Sequence, residues 1–330
     1  MAEAIQSVRA GSFRVAALRR LFGSQEAVLL GVIVVLFVVV GAINPRFLAE
    51  RNLESVLLGN AYVAVAAIGM SMVIVSGNID ISVGSLIGVL ATVSGSLAVA
   101  GAPIIVSWLV PIVISVLVML VIGFMVAYLR IPSIVVTLGM LSILKGGLIS
   151  ATGGKWISDL PPGYHLAQNE LLGVPLPIYF MVGLTAGAAW WMRYSAAGRA
   201  IYAVGGNAEA ARLSGISRER TLMMVFAIHG VFVGIAAILF ATQLSIIQST
   251  VPPNLELSII TASVVGGVSI LGGTGTVIGS TLAAVLIAAI GSSLIFVGIS
   301  PYWLRAVQGT LILLTVLADL LRRRRRTAQR

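Results

Sequence analysis

The chain has 330 residues, with no cysteine, only two histidines and only 10% charged residues. Without cysteine there are no disulfides, and the redox compartment leaves no mark on the sequence. The acidic residues are few and unpaired at any useful spacing. The apolar runs hold no Ser–His or Asp–Asp arrangement and no zinc motif, so no catalytic or metal-ligating residue is expected. The scarcity of charge excludes an ordinary soluble domain, which carries roughly 25% charged residues. A core of this size would lack a polar shell. A β-barrel is excluded because its strands are short and alternating, whereas the apolar runs here are unbroken.

What is present is hydrocarbon, at 58% hydrophobic residues. It is arranged in runs near the ~20 residues that cross a bilayer. The fold class is an all-α polytopic integral membrane protein with roughly ten transmembrane helices. The expected spans are 27–43, 56–76, 83–101, 103–128, 134–152, 176–192, 221–247, 257–271, 274–296 and 302–319. The 257–271 run is short and glycine-rich, so it reads as broken or re-entrant. Most of the net charge of +10 falls in Arg9, Arg14, Arg19 and Arg20, in 193–220 and in 322–326. Short basic loops stay cytoplasmic, which accounts for this charge without nucleic acid. Both ends are basic, so the span count is even. The first apolar run has no cleavage site and reads as a retained span rather than a signal peptide. The expected organisation is a basic cytoplasmic segment 1–26, one transmembrane domain 27–320 and a basic cytoplasmic tail 321–330. Within the domain, 193–220 is a cytoplasmic loop and 153–175 a periplasmic one. Arg46 and Arg51 fall on the outer side and fit the charge rule poorly.

One stretch breaks the apolar pattern. "GRAIYAVGGNAEAARLSGISRER" (198–220) is polar, arginine-rich and helix-prone. Residues 208–213 favour helix. Gly205-Gly206-Asn207 reads as a turn with Asn207 as N-cap, and Gly215 as the stop. An exposed helix of about two turns is marginal alone. It is either a plain connector or a segment that docks into another protein's groove. In the second case Ala210 and Ala211 let a partner backbone approach, and Glu209 and Arg212 supply polar contacts.

Polar groups inside the apolar runs are candidates for a solute pathway. "SGNIDISVGS" (76–85) joins two spans with almost no loop, and Asp80 is the only acidic residue between Glu54 and Asp159. Gly77 and Gly84 fit a broken helix. Ser76, Asn78 and Ser82 suit sugar hydroxyls, while Asp80 equally fits a helix cap. Asn60, Thr137 and Gln243 are further pathway candidates. "SVVGGVSILGGTGTVIG" (263–279) supplies hinge candidates Gly266, Gly267, Gly272 and Gly273. It is not a phosphate loop, because no Walker lysine follows. A pattern shared by 76–85 and 271–280 hints at internal duplication. Lys145 reads as snorkelling to the interface or lining a pathway. His229 reads as packed, and Glu256, after a double proline, as a helix cap near the outer mouth.

Glu-Ala-Ala-x-x-x-Gly at 209–215 resembles the motif by which importer permeases engage their ATPase subunits. "GRAIYAVGGNAEAARLSGI", "SGNIDISVGSLIG", "RIPSIVVTLGMLSILKGG" and "SVVGGVSILGGTGTVIG" together resemble the branched sugar permease family of bacterial ATP-binding-cassette importers. That family includes ribose, xylose, galactose and autoinducer systems. The resemblance runs from about residue 44 onward. The chain departs from the family's pattern at Asn78, Ser133 and Ile134, so the resemblance carries the fold and not the solute. It implies a permease subunit in the bacterial inner membrane, moving a small sugar or sugar-like solute. It also implies an ATPase subunit holding ATP and magnesium, a periplasmic or extracellular solute-binding protein, and a second permease chain. Residues Glu209, Ala210, Ala211, Arg212 and Gly215 would make the ATPase contact. A stand-alone secondary transporter is the alternative, with Asp80 as its one candidate for ion coupling.

Overall fold

The computed structural model describes residues 25–328, with side chains as far as Leu321. Residues Arg9, Arg14, Arg19 and Arg20, nearly all of segment 1–26, and the side chains of 322–326 lie outside the described residues. The helices are α1 (Gln25–Ile43), α2 (Glu50–Leu58), α3 (Ala61–Val75), α4 (Val83–Val99), α5 (Ile104–Ala127), α6 (Ser133–Thr152) and α7 (Leu176–Tyr194). They continue as α8 (Ala196–Gly206), α9 (Ala208–Leu213), α10 (Arg218–Gln243), α11 (Leu255–Val265), α12 (Val277–Phe296) and α13 (Trp303–Ala328). Strand β1 (Trp156–Ile157) pairs antiparallel with β4 (Ile247–Gln248), and β2 (Glu170–Leu171) with β3 (Val174–Pro175).

Seven of these segments are long and apolar enough to cross a membrane: α1, α2–α3 together, α5, α6, α10, α12 and α13 to Leu321. The shorter apolar α4 and α11, together with the 19-residue α7, bring the count close to the expected ten. Helices α8, α9, α10 and α12 each start on a capping side chain. Ser195 accepts from Gly198 N, Asn207 from Glu209 N and Ala210 N, Ser217 from Arg220 N, and Thr276 from Gly279 N. Each cap satisfies an N–H that the helix leaves open.

The core forms around α3 and α10. Backbones approach closely where side chains are absent, which is how membrane helices gain packing. A Cβ at Gly230 would meet Val116 Cα at 2.8 Å, and one at Gly234 would meet Ile112 Cα at 2.7 Å, so α10 lies directly on α5. Helices α1, α6 and α13 instead expose long rows of Val, Leu and Ile.

Two helices are broken. The segment 76–82 leaves α3 as an irregular turn, and α4 starts only at Val83. On the other side α10 ends at Gln243, residues 244–254 are irregular apart from strand β4, and α11 starts at Leu255. This second segment runs antiparallel along α4. Ile247 touches Gly95, Val251 and Pro252 touch Gly88, and Glu256 touches Gly84. Fifteen helical residues separate Gly84 from the end of α4 at Val99, a rise of about 22 Å. The hydrocarbon core of a bilayer is ~30 Å thick. The N-termini of α4 and α11 therefore meet inside the bundle, and the two short helices leave in opposite directions. Non-helical backbone at membrane depth survives only when buried in protein or beside a water-filled space.

Several expectations change here. The expected span 221–247 stops at Gln243, and 257–271 is an 11-residue helix, Leu255–Val265. Gly205 and Gly206 are the last turn of α8 rather than a loop, and Asn207 alone makes the junction to α9. Glu256 lies beside the first turn of α4.

Candidate functional site

The 76–82 turn is built from its own polar residues. Asp80 Oδ1 accepts from Ser82 N at 2.8 Å and from Ser82 Oγ at 2.5 Å. Asp80 Oδ2 lies 3.1 Å from His229 Nε2, a geometry in which the imidazole N–H donates to the carboxylate. Both side chains are fully buried. His229 stands 11 residues into α10, about 17 Å from its start. Its Nδ1 has no partner and rests against Gly69, where a Cβ would come within 2.6 Å. An ionisable pair at this depth is expensive and is kept for a function or a unique geometry. His229 is thus not merely packed; it is the partner of Asp80.

Helix α6 holds the same turn from the other side. Ile79 N donates to Ser133 Oγ at 3.2 Å, and Thr137 Oγ1 lies 3.4 Å from Ile79 O while donating to Ser133 O at 2.9 Å. Asn78 is buried and donates to Ser76 O and Ser76 Oγ. Asn78, Asp80, Ser82 and Thr137 therefore converge on one turn, with their polar atoms directed at the protein itself. Asn60 and Gln243 lie apart from it. Asn60 lines a cavity of about 440 Å³ with Asn52, Ser258, Ser292 and Gln308. Gln243 ends α10, and its Nε2 is buried without a partner.

The hinge candidates divide by conformation. Gly77, Gly267, Gly272 and Gly273 have φ of +84°, +99°, +80° and +75°, which favours glycine. Gly84 lies in the first turn of α4 and Gly266 is αR; both are contact points. A Cβ at Gly266 would collide with Ser280 N and Cα, so α11 and α12 touch there by backbone.

Three segments meet at the end of α8. Gly273 N donates to Val75 O at 2.8 Å. A Cβ on Gly205 would overlap Val75 O, and one on Gly272 would meet Gly205 O at 2.7 Å and Gly77 Cα at 3.0 Å. Tyr202 OH donates to Gly275 O at 2.9 Å. The glycine-dense loop, the start of the 76–82 turn and α8 form one knot.

Helix α9 projects from that knot. Asn207 caps it, and Gly215 beyond its end has φ +81°. Glu209 and Arg212 pair with each other at 2.6 Å on the surface. The Arg212 hydrogen bond lowers the Glu209 carboxyl below its ordinary range and raises the Arg212 guanidinium. Ala211 is buried in the chain's own body, whereas Ala210 is exposed. Leu213 is 76% exposed, a large apolar side chain presented to solvent beside Arg212. Leu213 was missed in the sequence. Its signal was an apolar residue closing an otherwise polar helix.

Residues 52–316 match a family described as "branched-chain amino acid transport system / permease component". Similar curated proteins include the autoinducer 2 import system permease protein LsrC of Salmonella typhi, 37% identical over 295 residues, covering 89% of this chain and 85% of that protein. LsrC of Escherichia coli (strain K12 / DH10B) is 35% identical over 297 residues, covering 90% and 87%. LsrC of Enterobacter sp. (strain 638) is 35% identical over 289 residues, covering 87% and 84%. No solved structure matches. With four-fifths of its length inside the family and relatives matched nearly end to end, the chain belongs to the permease components of the branched-chain amino acid transport system family.

Proposed function

We propose that the chain is the membrane-spanning permease subunit of an ATP-binding-cassette importer for a small sugar or sugar-like solute, with autoinducer 2, the solute in its relatives' names, as the first candidate. ATP and magnesium belong to a separate ATPase subunit, an external solute-binding protein delivers the solute, and a second permease chain completes the pore. The membrane is the bacterial inner membrane, with 193–220 and both termini cytoplasmic and 153–175 periplasmic.

The observation that carries this reading is α9. It is a capped, exposed helix with Glu209, Ala210, Arg212 and Leu213 facing outward and Ala211 anchoring it inward. It stands directly on the knot at Val75, Gly205 and Gly273. A stand-alone secondary transporter has no use for such a helix. Contact with the ATPase runs through the outward residues, so added bulk matters more than lost charge. Overpacking costs about 1–3 kcal/mol, and an exposed ion pair contributes about 0–1 kcal/mol. Ala210→Trp and Leu213→Asp are expected to lose co-purification of the ATPase and solute-stimulated ATP hydrolysis, with normal membrane insertion. Glu209→Gln is expected to do less. Full ATPase recovery and stimulation in both Ala210→Trp and Leu213→Asp would remove the coupling role of α9.

A further inference from the structure

Glu256 opens α11, against Gly84 in the first turn of α4. A Cβ at Gly84 would lie 2.5 Å from Glu256 Oε2 and 2.9 Å from Glu256 N. The side chain is neither sealed inside the protein nor fully exposed. Among the described residues no Lys, Arg or His lies within ion-pair distance of it. It is flanked on α11 by exposed Leu257. Asp80 is fully enclosed and has Ser82 and His229 as partners. Glu256 has a different environment: an open one, about 22 Å by helical rise from the far end of α4 at Val99. Lipid cannot lie there, because a carboxylate facing hydrocarbon is among the costliest placements in a membrane protein. Broken helices at the midplane, with their N-termini converging, are also the architecture in which transporters present polar groups to a solute.

We propose that Glu256 lines the aqueous transport path and accepts hydrogen bonds from the hydroxyl groups of a neutral, polyhydroxylated solute as it crosses the membrane. The assignment rests on the permease reading given above. A carboxylate with two oxygens takes a vicinal diol in bidentate fashion, and such charge-assisted bonds are stronger than neutral ones. The same charge repels anionic solutes. The purely structural alternative is that Glu256 does no more than balance two helix N-termini.

The cysteine-free chain makes the test direct. In cells expressing the complete transporter, Glu256→Cys is treated with the impermeant anionic reagent sulfonatoethyl methanethiosulfonate, in intact cells and in inverted vesicles. Val35→Cys, at a position 61% exposed on α1, serves as the lipid-facing control. Thiolate forms readily only where water reaches the sulfur, so the Glu256→Cys variant is expected to react about tenfold faster than the Val35→Cys variant from at least one side. Equal, slow reaction of an inserted Glu256→Cys variant from both sides overturns the proposal. Glu256→Gln supplies the second arm. With autoinducer 2 as probe, uptake is expected to fall about tenfold or more, the loss of a hydrogen bond to a charged group. Glu256→Asp is expected to recover part of it, and ATPase recovery through α9 should be unchanged. Undiminished uptake by Glu256→Gln also overturns the proposal. The thiol reaction rates need no substrate, so failure of autoinducer 2 uptake in the parent chain counts against the importer reading and leaves the Glu256 outcome legible.

Discussion

Adjacent glycines in α8 give a matched pair of perturbations at the knot. Gly205→Ala places a methyl group on Val75 O, 2.8 Å from Val75 C and 2.9 Å from Gly273 N. All three obstacles are backbone, so no rotamer change relieves the clash. Helix α8 must move off α3, and the Gly273 N–Val75 O bond of 2.8 Å goes with it. Overpacking costs about 1–3 kcal/mol, and the lost hydrogen bond adds about 1 kcal/mol. Gly206→Ala, one residue on, meets only Gly273 Cα at 3.9 Å, an ordinary contact. Both variants gain up to ~1 kcal/mol of helix propensity, which therefore cancels in the comparison. Gly205→Ala is expected to be about 2–4 kcal/mol less stable than Gly206→Ala. Thermal unfolding of the detergent-solubilised chain, followed by tryptophan fluorescence, reads the difference, and uptake in cells reads its consequence. Gly205→Ala should also lose uptake while Gly206→Ala keeps it. If the two variants unfold at the same temperature and transport equally, the knot is not a tight contact and the reasoning built on it fails.

The buried pair predicts strong non-additivity. Asp80→Asn or His229→Gln alone should each cost about 3–5 kcal/mol, because each leaves a buried partner uncompensated; the double variant should cost less than their sum by at least about 0.5 kcal/mol. Additive losses would mean the two residues act separately. Orientation can be read from single cysteines introduced at Ser158 and Ser214, both exposed. An impermeant maleimide applied to intact cells should label position 158 and not 214, and the opposite pattern reverses the topology. Ala211→Trp, unlike Ala210→Trp, should lower the stability of the isolated chain, since Ala211 is buried within it.

The membrane fold was legible because it follows from composition and run length, which need no tertiary information. Helix α9 was legible too, because Asn207 and Gly215 are local start and stop signals. The orientation of α9 was not. Six residues are under two turns, too few for a periodic face, so the sequence could not say that Ala211 turns inward and Leu213 outward. The Asp80–His229 pair joins positions 149 apart, and no local pattern carries that distance. A usable clue existed: a lone acid and a lone histidine in apolar runs each require a partner once buried. The break after α10 was hidden because residues 244–247 remain largely apolar and continue the run. Only Pro252 and Pro253 mark that the chain has stopped being helical, and they lie well past the place where it does.

The two helices flanking α9 hold opposite ends of the 76–82 turn. Helix α8 abuts Val75, where the turn begins, through Gly205. Helix α10, which starts four residues after α9 at Arg218, carries His229 and through it Asp80, near where the turn ends. Core packing passes displacements on rather than absorbing them, because its density leaves few voids. A shift of α9 against the bundle therefore reaches the turn at two points, while α6 holds its middle at Ile79 through Ser133 and Thr137. The turn is thus held at three points by three helices, and α4 begins directly after it at Val83. The first turn of α4 bears on Leu255 and Glu256. This is a contiguous run of contacts from the exposed helix α9 to the carboxylate of Glu256, and its individual contacts are each open to the substitutions described above.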